Sequence, residues 1–189
     1  RPPGEEHISL HQNEYVCPLC QCGLRTREGS LYCEECDRAF PLRRGIRDFA
    51  TRTHYWNQVT AEQMESILEI AQDRGYRYAV ERVLVPFTHP DMRAYVLGEN
   101  RADFRAVVPI TPTSRVLDLG GGWGPIPCAL APACESVTTV DTNPYTLRFI
   151  RLRAEQTGLT NLTPVRIDPL DDAHLPFPDG SFDVAVMNG

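Results

Sequence analysis

Lysine is absent from this sequence of 189 residues, and all 19 basic residues are arginine, which we attribute to codon bias in the source genome. No apolar run approaches the roughly 18 residues that a membrane helix needs, so the sequence predicts no membrane association. No charged and then apolar leader marks the chain for export. The first residue is Arg1 and not Met, which indicates a start further upstream. These absences favour a cytoplasmic protein.

An excess of positive charge is also lacking, since the net charge is −6. The chain therefore does not offer the broad basic face that binding to a nucleic-acid backbone usually needs. One local exception is a run of five arginines: Arg38, Arg43, Arg44, Arg47 and Arg52. This run is typical of a solvated loop, and the alternative interpretation is a docking surface for an anionic partner.

Cysteine is abundant, and five of the seven cysteines fall within the first 36 residues. Without an export signal, metal binding is favoured over disulfides. Cys17 and Cys20 form one Cys-x2-Cys pair, and Cys33 and Cys36 form a second pair after 12 intervening residues. Two such pairs place four thiolates around a structural zinc ion and leave no open position for catalysis. Cys22 is a fifth thiol nearby and can replace Cys20 if the register shifts.

The segment after the second cysteine pair resembles a known zinc-ribbon family. Residues 40–49 read FPLRRGIRDF, which is similar to the exit segment of short ribbon proteins that act as partners of tRNA and translation-factor methyltransferases. A similar ribbon begins the large-subunit rRNA guanine methyltransferases. Arg47 stands where that pattern usually has proline. The resemblance implies either RNA methylation or activation of a partner enzyme.

The sequence divides into three parts: a zinc ribbon (1–50), a helical linker or cap segment (51–110) and an α/β domain (111–189). In the second part, Thr60 and Gln63 form a capping box that predicts a helix. Its apolar face is predicted to contain Met64, Ile67, Leu68 and Ala71, which recur at helical spacing. A second short helix is expected to end before Pro86, and a third to restart at residues 89–91.

Strands and helices alternate in the third part. The predicted strands are Arg115–Leu119, Ser136–Val140, Thr163–Ile167 and Phe182–Met187. Helices are expected around Ile126–Ala131 and from Pro144 to about Thr157. This alternation predicts a Rossmann-like parallel sheet with crossover helices.

A glycine-rich loop follows the first of these strands, in the run VLDLGGGWG at residues 116–124. Glycine lets the backbone turn sharply and lie against a ligand with no side chain between them. The run resembles motif I of the class I S-adenosylmethionine methyltransferases, and Pro125 replaces the third glycine of the dinucleotide fingerprint, which argues against NAD. The resemblance implies S-adenosylmethionine as cofactor, held by Asp118, Gly120, Gly121, Gly122 and Gly124.

Two later segments complete this resemblance. Asp141 ends the second strand, where the family's ribose-binding acid stands, and Thr142 and Asn143 would line the pocket. The run DPLDDAHLPFPDGSFD at residues 168–183 resembles the family's adenine-binding segment, in which an acid faces the adenine amine. Three aspartates are candidates for this acid. Asp168 has the expected position at the end of a strand, Asp171 has the family's usual spacing to the leucine that follows, and Asp172 directly precedes Ala173 as in the family's Asp-Ala pair. The sequence leaves these three alternatives open.

The residues after the fourth strand approach the transferable methyl group in this family, so Asn188 is the nearest candidate to the chemistry. His174 lies on the adenine side and is not expected to be a base. The family's sheet has seven strands in the order 3-2-1-4-5-7-6, and the sequence stops after the fourth, so we expect it to be part of a longer chain. The sequence identifies no general base and no oligomeric state.

These observations predict methyl transfer from S-adenosylmethionine to a small-molecule acceptor. Two alternatives remain open: an rRNA or tRNA methyltransferase that docks RNA through its ribbon, and a non-catalytic cofactor-binding activator of a partner.

Overall fold

The computed structural model describes residues 14–52, 55, 57–98, 100–169 and 174–188. The ribbon contains a three-stranded antiparallel sheet made of β1 (Arg25–Arg27), β2 (Ser30–Cys33) and β3 (Arg38–Phe40). Residues 28–29 form the turn between β1 and β2, and both have a positive φ. This hairpin brings the two cysteine pairs to the same end of the ribbon.

A second sheet has six strands among the described residues. They are β4 (Leu42–Arg43), β5 (Ile46–Asp48), β6 (Arg115–Leu119), β7 (Ser136–Asp141), β8 (Leu162–Arg166) and β9 (Val184–Met187). Their order is β4-β5-β8-β7-β6-β9, and every pair is parallel except β4 with β5. The predicted Rossmann-like parallel sheet is confirmed, and each predicted strand lies within two residues of its expected bounds.

Strand β5 lies in the last part of the predicted ribbon (1–50) and extends the large sheet. Arg47 pairs with Val165, and Asp48 pairs with Arg166. The hydrogen bonding of this sheet therefore crosses the predicted boundary at residue 50, and the division into domains stays a prediction.

Helices pack on one face of the large sheet, and the ribbon packs on the other. The helices are α1 (Ala61–Arg74), α2 (Tyr76–Ala79), α3 (Val85–Phe87), α4 (Asp91–Leu97), α5 (Pro125–Leu130) and α6 (Pro144–Thr157), with 3-10 turns at Asn100–Ala106 and Ala131–Ala133. The capping box is confirmed, because Thr60 Oγ1 accepts a hydrogen bond from the Gln63 amide and Gln63 Oε1 accepts one from the Thr60 amide. The four predicted apolar residues of α1 are buried.

The prediction that the second helix ends before Pro86 is wrong. A π-helical segment, Val80–Leu84, joins α2 to α3, and Pro86 lies in the first turn of α3. In a regular α-helix the Pro86 ring would clash with the carbonyl four residues earlier, and proline offers no N–H to bond it. The wider π turn just before Pro86 accommodates both defects without ending the helical stretch.

One part of the core lies between the helices and the large sheet, and another lies between the ribbon and the opposite face of that sheet. Helix α1 packs on α6, and their cluster includes Met64, Ile67, Trp123 and Phe149. Trp123 belongs to the glycine-rich loop, and its indole meets the Phe149 ring edge-on at 5.2 Å. The helical segment is thereby packed directly against that loop. Among the helices that the structure describes, none has the length and apolarity needed to cross a membrane.

Candidate functional site

The glycine loop, residues 120–124, joins β6 to α5. Its positive φ angles, +80°, +51° and +80°, fall on Gly120, Gly122 and Gly124. Gly121 is required for another reason, since a Cβ at this position would collide with Thr139 Oγ1 on the neighbouring strand. The backbone amides of the loop thus lie at the carboxyl edge of the parallel sheet, where ligands of such folds bind.

Asp141 lies at the end of β7, beside the loop. Its Oδ2 accepts a hydrogen bond of 2.8 Å from the Gly122 amide, and its Oδ1 accepts one of 2.9 Å from the Asn143 amide. These two bonds orient the carboxylate and leave a lone pair on each oxygen for a ligand. Asn143 is buried and caps α6 by accepting hydrogen bonds from the Tyr145 and Thr146 amides.

Asp118, near the end of β6, is only 2% exposed. Burial raises its pKa to about 6, an effect that the nearby Asp141 charge increases and the hydrogen bond from Thr139 Oγ1 at 2.7 Å opposes. Asp118 therefore faces the interior below the loop and bonds the adjacent strand. The sequence pattern did not reveal Thr139, because a threonine inside a strand is an ordinary residue there.

Asp168 follows β8 and is held by the segment that leaves β5. Its carboxylate accepts hydrogen bonds from the Thr51 amide (2.8 Å), Thr51 Oγ1 (2.6 Å) and the Arg52 amide (3.1 Å). Burial alone would raise the pKa of Asp168, but these hydrogen bonds lower it below its usual value. The acid thus ties the end of the ribbon to the carboxyl edge of the sheet.

The same segment continues across this edge. Gln58 Oε1 accepts a hydrogen bond of 3.1 Å from Trp123 Nε1, and the Tyr55 ring meets Tyr145 edge-on at 5.8 Å. From α4, Tyr95 Oη lies 3.7 Å from the position that a Cβ on Gly122 would occupy. No motif in the sequence indicated that Gln58 and Tyr95 approach the loop.

The remaining predicted site residues fall in different places. Thr142 follows Asp141, and its carbonyl accepts a hydrogen bond from Arg166 Nε at 3.2 Å. Asn188 is exposed directly after β9, and His174 is exposed with its amide bonded to Pro18 O. Three predicted residues lie outside the described residues: Asp171, Asp172 and Ala173.

The four predicted zinc-binding cysteines lie together at the ribbon's end. The sulfur atoms of Cys17, Cys20, Cys33 and Cys36 are all within 4.8 Å of one another. Cys17 and Cys36 sulfurs are 3.8 Å apart, and those of Cys20 and Cys33 are 3.5 Å apart. Four sulfurs at about 2.3 Å from a tetrahedral zinc ion would be separated by about 3.8 Å, so this donor set fits zinc. Cys22 does not belong to this group of four.

Residues 116–189, which contain the glycine loop, Asp141 and Asn188, match the family model described as "Methyltransferase domain". This part of the chain is therefore similar to a methyltransferase domain. No curated protein matches the chain.

Several solved structures are also similar to parts of this chain. The YcgJ protein of Bacillus subtilis is 26% identical over 49% of this chain and 37% of its own, with a TM-score of 0.41. A dimethyladenosine transferase of Plasmodium falciparum is 26% identical over 47% of this chain and 31% of its own, with a TM-score of 0.42. Phosphoethanolamine N-methyltransferase 1 of Haemonchus contortus is 19% identical over 71% of this chain and 27% of its own, with a TM-score of 0.39. The chain thus spans between 27% and 37% of the length of these three proteins.

Proposed function

We propose that the methyltransferase domain binds S-adenosylmethionine at the glycine loop and transfers its methyl group to a small-molecule acceptor. The observation that carries this proposal is the position of Asp141. Two backbone amides orient its carboxylate at the point where the loop and the end of β7 meet. This arrangement suits a nucleoside whose ribose hydroxyls donate to one acid while its chain lies along glycine backbone.

Each part of the site has a separate task in this proposal. Asp141 accepts hydrogen bonds from the two ribose hydroxyls, and Thr142 and Asn143 line the same pocket. Gly120, Gly122 and Gly124 let the backbone approach the methionine portion closely. The adenine amine is bonded by one of Asp168, Asp171 and Asp172, and Ala173 lies beside the last.

When bound, the cofactor supplies a sulfonium methyl group, whose transfer breaks the carbon–sulfur bond, leaves that electron pair on sulfur and forms a bond from the acceptor's lone pair. The protein's task is then to align the acceptor with the carbon–sulfur bond and to exclude water. The helical segment serves this task, since Tyr95 and Gln58 extend over the loop from the outside. Asn188, at the exposed end of β9, is the residue that we propose lies nearest to the acceptor.

A small acceptor is favoured by the charge of the chain, which is −6 overall. We propose that Cys17, Cys20, Cys33 and Cys36 hold one structural zinc ion, which fixes the ribbon and takes no part in methyl transfer. Reduced thiols of this kind fit a cytoplasmic location.

Replacement of Asp141 tests the proposal. Hydrogen bonds to a charged acceptor contribute about 1.5–3 kcal/mol each, so Asp141→Ala is expected to weaken S-adenosylmethionine binding at least about tenfold in calorimetry. Asp73→Ala is the matched control, because Asp73 is an exposed acid on the last turns of α1. Wild-type affinity in the Asp141 variant, or displacement of the cofactor by NAD, would refute the proposal.

A further inference from the structure

A cleft of about 240 Å³ opens between the β4–β5 hairpin and the start of α6. Six charged residues line it: Arg43, Arg44, Asp48, Glu65, Arg148 and Arg166. It lies at the carboxyl edge of the large sheet, because Asp48 and Arg166 end two paired strands there. Arg166 also bonds the Thr142 carbonyl, so the cleft lies next to the Asp141 side of the cofactor site.

The charged side chains of the cleft form two layers. In the inner layer, Arg148 donates two hydrogen bonds to Glu65 (2.7 and 2.9 Å), and Arg166 donates one to Asp48 (3.1 Å). These two arginine side chains are only 21% and 16% exposed. The two carboxylates are thus already bonded by the inner arginines, which fixes their positions, with Asp48 buried and Glu65 40% exposed.

The outer layer consists of Arg43 and Arg44, whose side chains are 73% and 66% exposed. Each approaches a carboxylate that an inner arginine already occupies, at 3.4 Å for Asp48 and 3.7 Å for Glu65. Both distances exceed the usual range for a hydrogen bond to oxygen. The N–H groups of the outer arginines are therefore directed only loosely by the protein, and they remain at the mouth of the cleft.

Among the described residues that line the cleft, four guanidinium groups face two carboxylates, which leaves two positive charges in a chain of net charge −6. We propose that this cleft binds a phosphate group. A phosphate carries close to two negative charges at neutral pH, and its oxygens match the fork of N–H donors that arginine presents. Carboxylate ligands match less well, since one negative charge would leave the other arginine unpaired.

Pyrophosphate is the probe for this site, with binding measured by calorimetry on the whole chain without S-adenosylmethionine, so the result does not depend on methyl transfer. The double variant Arg43→Ala/Arg44→Ala is expected to weaken pyrophosphate binding at least about tenfold, because charged hydrogen bonds are lost. Its matched control is Arg25→Ala/Arg27→Ala, which removes the same charge from exposed positions of β1 in the ribbon. The control should retain wild-type affinity.

A third variant tests whether removal of a negative charge from the cleft strengthens pyrophosphate binding. Glu65→Gln removes one of the two carboxylates and is expected to tighten pyrophosphate binding about threefold, because Arg44 and Arg148 lose their competing partner. Thermal melting of every variant checks that the fold is retained. The proposal is overturned if pyrophosphate does not bind at low salt, if both double variants weaken it equally, or if Glu65→Gln weakens it.

Competition identifies the source of the phosphate. Displacement of pyrophosphate by a nucleoside monophosphate, with no tighter binding of a single-stranded RNA oligonucleotide, would identify a small phosphorylated ligand. Displacement by RNA with an affinity that rises with oligonucleotide length would identify a nucleic-acid backbone. Both results support a phosphate site, and in both the Arg43/Arg44 variant must abolish the competition.

Discussion

Two carboxylates at the ends of neighbouring strands lie in opposite surroundings. Asp118 is buried and bonds a threonine hydroxyl, whereas Asp141 is only partly buried and bonds two backbone amides. Both were identified from the sequence as site residues, but the sequence does not show which of the two carboxylates is buried, so that its charge destabilises the fold. That difference depends on the packing of Thr139 and Gly121 against Asp118, which only the paired strands create.

The raised pKa of Asp118 predicts a pH-dependent stability. Its folded pKa, about 6, lies above its unfolded value near 3.9, so its contribution to stability is present at low pH and is lost as pH rises toward 6. Asp118→Asn keeps an oxygen for Thr139 and carries no charge. From pH 5 to pH 7, the variant should gain about 1 kcal/mol in unfolding free energy relative to wild type, measured by denaturant titration.

Asp73→Asn, on an exposed carboxylate of α1, is the control and should show no such change. A stability difference between the Asp118 variant and wild type that stays constant with pH would contradict the raised pKa.

For the run of arginines, the sequence alone does not show which side chains are exposed and which are buried. Arg43 and Arg44 line the cleft, but Arg47, three positions later, is buried and donates a hydrogen bond to the Phe40 carbonyl. Burial lowers the pKa of Arg47. Whether an arginine faces solvent follows from strand register, and the strands β4 and β5 are too short to show an alternating pattern.

At the scale of elements, long and strongly patterned segments were predictable. Helix α6, Pro144–Thr157, has the bounds expected from the sequence, because proline begins it and Gly158 ends it in a left-handed conformation. Strands of two or three residues, such as β4 and β5, carry too few residues for a periodic signal. The π turn before Pro86 was also missed, since sequence rules describe only the usual effect of proline.

The ribbon itself yields a prediction about metal content. We expect one zinc ion per chain by elemental analysis, and Cys33→Ser should lose it because a buried thiolate ligand is removed. Cys22→Ser should keep the full zinc content, because Cys22 lies outside the group of four sulfurs. Loss of zinc in the Cys22 variant, or full zinc in the Cys33 variant, would show that the ligand set is different.

At the scale of the whole molecule, the ribbon and the strands of the large sheet share hydrogen bonds. Strand β5 covers the edge of β8, and the residues that follow it bond Asp168. The sequence suggested a separate ribbon, since its cysteine pattern is complete by residue 36. Long-range strand pairing of this kind has no local signature in a sequence.

This connection predicts that metal removal affects the cofactor. Chelation of zinc should loosen β5 and free the Asp168 carboxylate, which weakens S-adenosylmethionine binding at least about threefold in calorimetry, and added zinc should restore it. Thr51→Val removes only one of three hydrogen bonds to Asp168 and should produce a smaller loss. If the metal-free chain binds the cofactor with wild-type affinity, the prediction is wrong and the ribbon does not influence the cofactor site.

The pairing of β5 with β8 also has a consequence for synthesis on the ribosome. Asp48 and its partner Arg166 are 118 positions apart. At translation rates of 5–20 residues per second, the hairpin that contains β5 waits about 6 to 24 s before β8 has been made. The nascent ribbon would therefore have time to acquire the proposed zinc ion first, while β5 stays exposed to other chains and to chaperones until its partner strand emerges.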